Sequence, residues 1–92
     1  MFHTIAVHHV RPEHEAAFVA FMHRVEQAVA GAPGLVEFSS HRDAQRGVLV
    51  AIGRWEGQEA FAQAMPTIMG LSGERDPAWT EREDELFALT PA

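Results

Sequence analysis

Six histidines are the side chains best suited to chemistry in this chain, and three of them, His3, His8 and His9, fall in its first nine residues. Imidazole titrates near neutral pH, so a histidine in a pocket can take or give a proton during a reaction. His8 and His41 are the candidates for such a general base or hydrogen-bond donor. The plainer reading makes all six polar groups of a surface or an interface. In an extended chain His3 and His9 share one face, yet six residues separate them by ~20 Å, and the adjacent His8 and His9 point to opposite faces. A metal needs three or four converging ligands. No His-x-His or His-x₃-His spacing offers even a pair on one face, so neither a metal nor a cofactor is expected. Without cysteine there is no thiolate and no disulfide. No Ser–His–acid pattern is present, and Gly70-x-x-Gly73 is too sparse to cradle a phosphate. The acidic run at 81–85 reads as a solvated face.

The second group with chemical meaning is apolar. Phe18, Phe21 and Met22 lie on a helical stripe, with Phe61 on a second helix and Trp55 just before it. Where helices pack on a sheet, the space between them is both core and pocket. Phe21, Met22, Trp55, Phe61, Met65 and Met69 are the expected lining of an apolar cavity, with methionine filling its irregular gaps. Such a cavity suits a small apolar or aromatic ligand. The formal charge of -6, with seven Arg and no Lys, lacks the basic patch that a phosphate backbone requires. No apolar run approaches the ~18 residues of a membrane span. Met1 to Val10 lacks the features of a signal peptide, so the cytoplasm is the expected location.

These residues must be positioned by one domain, residues 1–92, with a thin core of its own. Phe2 to Val10 reads as a strand, with β-branched Ile5, Val7 and Val10. Pro12 opens a helix over 12–30 whose apolar stripe runs from Phe18 to Val29, and Gly31 and Pro33-Gly34 end it. Leu35–Arg42 and Val48–Trp55 form a hairpin around a polar turn, and Gly53 marks a bulge or a close approach. A second helix spans Gly57–Met65, where Pro66 ends or kinks it. An irregular segment follows, then a short last strand at Leu86–Leu89. The order β-α-β-β-α-β is that of a ferredoxin-like α+β fold, an antiparallel sheet with helices on one face. The other face is left apolar and bare, which calls for a second copy of the chain to form a homodimer.

Four local patterns resemble the antibiotic biosynthesis monooxygenase family, a branch of the dimeric α+β barrels. They are Arg11-Pro12-Glu13 before a helix with Phe18; Ala32-Pro33-Gly34-Leu35; Phe38 with Arg42-Asp43; and Trp55-Glu56-Gly57-Gln58-Glu59-Ala60-Phe61. The resemblance implies a dimeric barrel with a pocket between helices and sheet. It also implies, for several members, oxidation of quinol-like aromatics by molecular oxygen without metal or flavin. The polyketide-oxidising members carry Asn four residues before the Trp and Tyr six after it, where this chain has Ala51 and Phe61. Ala64 stands where other members carry a helix His or, in haem-degrading ones, a Trp. The expected function is a cofactor-independent monooxygenase-like protein acting on a small aromatic or quinone-like molecule. Trp55 would frame its pocket and His8 or His41 would handle the proton. The alternatives are a non-catalytic ligand-binding or stress-associated barrel and a His-dependent isomerase or decarboxylase.

Overall fold

The computed structural model describes residues 1–92. The chain runs from β1 (Phe2–His8) through a 3₁₀ turn at Pro12–His14 into α1 (Glu15–Val29). A hairpin of β2 (Leu35–Asp43) and β3 (Val48–Trp55) follows, then α2 (Gln58–Gly70) and β4 (Glu85–Leu89). The sheet order is β2-β3-β1-β4, with every neighbouring pair antiparallel, and both helices lie on one side. This is the α+β, ferredoxin-like arrangement that the element order implies.

Local chemistry explains most boundaries. Pro12 starts the first helical turn, where its missing N–H is not needed; that turn is 3₁₀, so the α-helix proper starts three residues later than the periodicity predicts. The hairpin closes on Asp43, whose side chain accepts hydrogen bonds from the backbone N–H groups of Gln45 and Arg46, both at 3.1 Å. The second helix does not end at Pro66 but continues to Gly70. Proline removes one helical hydrogen bond, here to the carbonyl of Ala62. Both residues are exposed, so water can satisfy that carbonyl.

Strand alternation gives the sheet two unlike faces. Phe2, Thr4, Ala6 and His8 of β1, with Leu49, Ala51, Gly53 and Trp55 of β3, face the helices in matching register. Two apolar clusters form there. Phe2, Trp55 and Ala64 pack with Leu35, Phe38, Ala60 and Phe61 at one end. Val10, Phe18, Met22 and Leu49 pack with Phe21 and Trp79 at the other. Gly53 permits a close approach rather than a bulge: a Cβ there would lie 2.6 Å from both Thr4 Oγ1 and Trp55 Nε1. The register shift falls instead between Leu35 and Glu37. Gly34 combines a positive φ with contact to α2, since a Cβ would meet that of Ala60 at 2.5 Å. The opposite face, with Ile5, Val7, Val50, Ile52, Phe87 and Leu89, carries no helix and leaves Phe87 and Leu89 exposed.

Candidate functional site

His8 ends β1 on the helix-facing side, and its ring centroid lies 4.8 Å from that of Phe18 on α1. The residue is only 8% exposed. Its Nδ1 lies 3.0 Å from Oδ1 of Asp84. That distance suits a hydrogen bond, but the angle falls short of one, and Nδ1 is buried with no other partner. Asp84 in turn receives two hydrogen bonds from Arg75, at 2.6 and 2.9 Å. The Arg75 guanidinium sits 4.9 Å above the Phe18 ring, an arrangement favoured by the ring quadrupole. Burial pushes the Asp84 carboxyl up, but contacts with His8 and Arg75 outweigh it and hold the group well below the usual carboxylate range.

The segment between α2 and β4 delivers Arg75 and Asp84. It makes two 3₁₀ turns, Ser72–Glu74 and Pro77–Trp79, and is laced to the continuation of β1 like a strap. The N–H of Arg11 donates to the Trp79 carbonyl at 2.8 Å, and the N–H of Glu81 donates to the His9 carbonyl at 2.9 Å. Val10 and Thr80 bridge between them. The Asp76 side chain caps the second turn by accepting from the Ala78 N–H at 2.8 Å. Trp79 then lies edge-on to Phe18 at 6.3 Å, so the strap closes over the His8 end of the sheet.

Beside His8 the helix-facing surface has a floor of small residues. Ala51, Ala6 and Leu86 stand side by side across β3, β1 and β4, and Gly53, Thr4 and Ala88 form the next row. Thr4, Ala6 and Ala51 are half-buried, and Leu86 is 75% exposed. These rows run between the two packed clusters: Ala51 packs against the His8 end, Gly53 is buried under the Trp55 indole, and the surface becomes exposed only at Leu86 on β4.

The residues singled out from sequence are spread over three places. Phe21 and Met22 belong to the His8 end. Trp55 and Phe61 belong to the other end, in edge-on contact at 5.4 Å. Trp55 is fully buried and its Nε1 donates to Thr4 Oγ1 at 3.1 Å, so it is a core residue and not a pocket wall. Met65 is half-buried, and Met69 is 58% exposed. The six do not line one cavity, because roughly 20 Å of strand separates the two ends. His41 lies on the bare face, bonded to Ser39 at 2.7 Å; strand alternation keeps it away from His8.

Of the histidines expected as surface or interface polar groups, His8 and His9 are buried within the single chain. His9 faces the bare side, where its Nε2 lies 2.7 Å from Glu85 Oε2. It borders a concavity of about 740 Å³ floored by Val7, Val48, Val50 and Phe87. This hollow is larger than the one of about 490 Å³ beside Arg75 and Asp84, but most of its charged groups are paired with one another: His9 with Glu85 and Arg82, and Asp43 with Arg46. His8 is the stronger candidate because Asp84 and Arg75 surround it next to the small side chains of Ala6 and Ala51. Sequence reasoning missed Arg75 and Asp84. The acidic run is not wholly solvated, since Asp84 is largely buried. The available signal was indirect: a histidine on the inner face of a strand needs a polar partner, and the irregular segment before the last strand carries acids.

The family model for antibiotic biosynthesis monooxygenase matches residues 1–67. No curated protein matches the chain. Among solved structures, Rv0793 from Mycobacterium tuberculosis is 18% identical, with a TM-score of 0.84 over 99% of this chain and 94% of that one. PA3566 from Pseudomonas aeruginosa is 16% identical, with a TM-score of 0.79 over 99% and 93%. SnoaB, a cofactor-independent oxygenase from Streptomyces nogalater, is 22% identical, with a TM-score of 0.74 over 98% and 91%. At these identities the likeness is one of fold.

Proposed function

Since this chain belongs to the antibiotic biosynthesis monooxygenase family, we propose that it oxidises a small, electron-rich aromatic or quinol-like molecule with molecular oxygen. The observation that carries this reading is the buried His8 beside Asp84, at the edge of a small-residue floor on the helix-facing side of the sheet. The substrate ring would lie against Ala6 and Ala51, which project only methyl groups. His8 takes the proton of an acidic C–H or O–H, and the resulting anion is electron-rich enough to reduce oxygen. For a ring CH₂ group the balance is R₂CH₂ + O₂ → R₂C=O + H₂O. One oxygen atom enters the product, and the four electrons lost by carbon are those gained by O₂. The chemistry asks for no resident cofactor, because substrate and oxygen supply both halves of the redox couple. The working unit is a homodimer, with the bare apolar face of Ile5, Val50, Ile52 and Phe87 covered by a second copy.

Oxygen uptake with a panel of dihydroxy-aromatics and anthrone-like compounds tests the reaction. Turnover that falls at least about 100-fold in His8→Ala and persists in His41→Ala supports it, on the usual scale of general-base catalysis. A panel with no turnover, on protein shown by native mass spectrometry to be dimeric, removes it. The full burial of Trp55 in the core favours a second reading, a ligand-binding barrel without catalysis. Saturable binding of the same compounds without oxygen uptake would establish that reading instead.

A further inference from the structure

We propose that Asp84 is the positioning residue of the His8 site: clamped by Arg75, it keeps the proton of the neutral imidazole on Nδ1 and leaves Nε2 as the nitrogen that accepts a proton. This rests on the reading of His8 as the base of the site. The argument begins with donor and acceptor types. Arg75 has donors only, and it occupies both oxygens of Asp84. A carboxylate held in that way is ionised and can only accept. Nδ1 of His8 lies 3.0 Å from one of those oxygens and is buried with no other partner. A lone pair on Nδ1 would face a negative oxygen without solvent to soften the contact. An N–H there turns the same contact into an attraction, so the environment selects the Nδ1–H tautomer. Nε2, across the ring, then keeps its lone pair.

Charge supports the same role. Asp84 and Arg75 together are neutral, so the pair that His8 faces carries no net charge. Once His8 takes a proton, the imidazolium lies against Asp84, with the tilted Phe18 ring 4.8 Å away. Both Arg75 and Asp84 lie beyond residues 1–67, so the base and the group that orients it come from different parts of the chain. The strap that carries them is fixed to β1 by backbone hydrogen bonds on either side of Val10. Its job is thereby more than covering an edge of the core: it sets which nitrogen of His8 is free.

The test is a long-range ¹H–¹⁵N spectrum of histidine-labelled protein, with His8 assigned by its loss in His8→Gln. The wild type is expected to show a single Nδ1–H tautomer for His8. Asp84→Leu, of similar size and without an acceptor, is expected to give a tautomer mixture or the Nε2–H form. An Nε2–H tautomer in the wild type overturns the proposal, and that spectrum needs no variant to fold. An unchanged Nδ1–H tautomer in folded Asp84→Leu overturns it as well. Where oxygen uptake is found, Asp84→Leu should lower kcat at least about tenfold with KM within about twofold, and Asp84→Glu should restore part of it. Lack of any turnover counts against the oxygenase reading alone, because the tautomer is measured without substrate.

Discussion

At one end of the helix-facing surface Trp55 is fully buried among Phe2, Phe38 and Phe61; at the other His8 is buried against Phe18, with Asp84 and Arg75 around it. The same two strands, β1 and β3, run through both ends. The Trp55 end is held by area and shape: aromatic rings meet edge-on, and the one polar atom, the indole N–H, is satisfied by Thr4. The His8 end is held by the hydrogen-bonded Arg75–Asp84 pair with His8 in close contact at 3.0 Å, groups that would each be costly to bury alone. The first kind of interior loses stability in proportion to volume removed. The second loses it when any one partner leaves the others unpaired. It also holds polar groups beside the small side chains of Ala6 and Ala51.

Removing the indole should show the first behaviour most strongly. Trp55→Ala deletes the largest fully buried side chain, and substitutions of this kind cost about 3–5 kcal/mol. Urea unfolding should show that loss or outright failure to fold, while Trp55→Phe should keep much of the stability. An alanine variant as stable as wild type would mean that the aromatic end is not a core. At the other end, Asp84→Ala should cost about 2 kcal/mol at neutral pH, because it strands Arg75 and the Nδ1 of His8. The pH dependence sharpens the contrast. The folded Asp84 carboxyl lies below its unfolded value of about 4. Its contribution is thus complete above pH ~4 and fades as the pH falls through the folded value. Acid titration of unfolding free energy should show a steeper decline in wild type than in Asp84→Asn. Equal slopes would remove Asp84 from the account.

The two ends also differ in how far sequence exposes them. The Trp55 end is built from near neighbours in periodic elements. Its strand alternation, the Pro33-Gly34 turn and the Trp55-to-Phe61 pattern are local, and Gly53 announced the close approach that the indole makes. Element order and strand positions followed from the same local signals. The His8 end depends on residue 8 meeting residues 75 and 84 through a strap of short 3₁₀ turns. Such turns have no hydrophobic period, so neither their path nor the burial of Asp84 could be read from the acidic run. Where His41 and Met69 point was also beyond reach. The first depends on the register of β2 against β3, and the second on α2 passing through Pro66.

Gly53→Ala tests whether the aromatic end is packed as tightly as its geometry implies. A methyl group would collide with Thr4 Oγ1 and the indole nitrogen, each 2.6 Å away, and overpacking of this kind costs about 1–3 kcal/mol. Adding Thr4→Ala removes one of the two obstacles. The double variant should therefore recover part of the loss, a coupling that a double-mutant cycle reads directly. Strict additivity would show that the cost arises from glycine's backbone and not from contact.

The smallest effect separates what fastens the strap from what merely touches it. Arg24 of α1 reaches Glu74 in the strap at 3.1 Å, with both side chains about half exposed. The hydrogen bond and charge of Glu74 raise the Arg24 guanidinium further above its ordinary value, but a pair this exposed is screened by water and salt. Arg24→Ala should leave the unfolding midpoint within error, and the His8 signals of the tautomer experiment should not move. The strap is then held by its backbone bonds to β1 and by Arg75 on Asp84, which are the contacts that also surround His8. A clear loss of stability in Arg24→Ala would shift the fastening to the α1 side and weaken the link between strap and site.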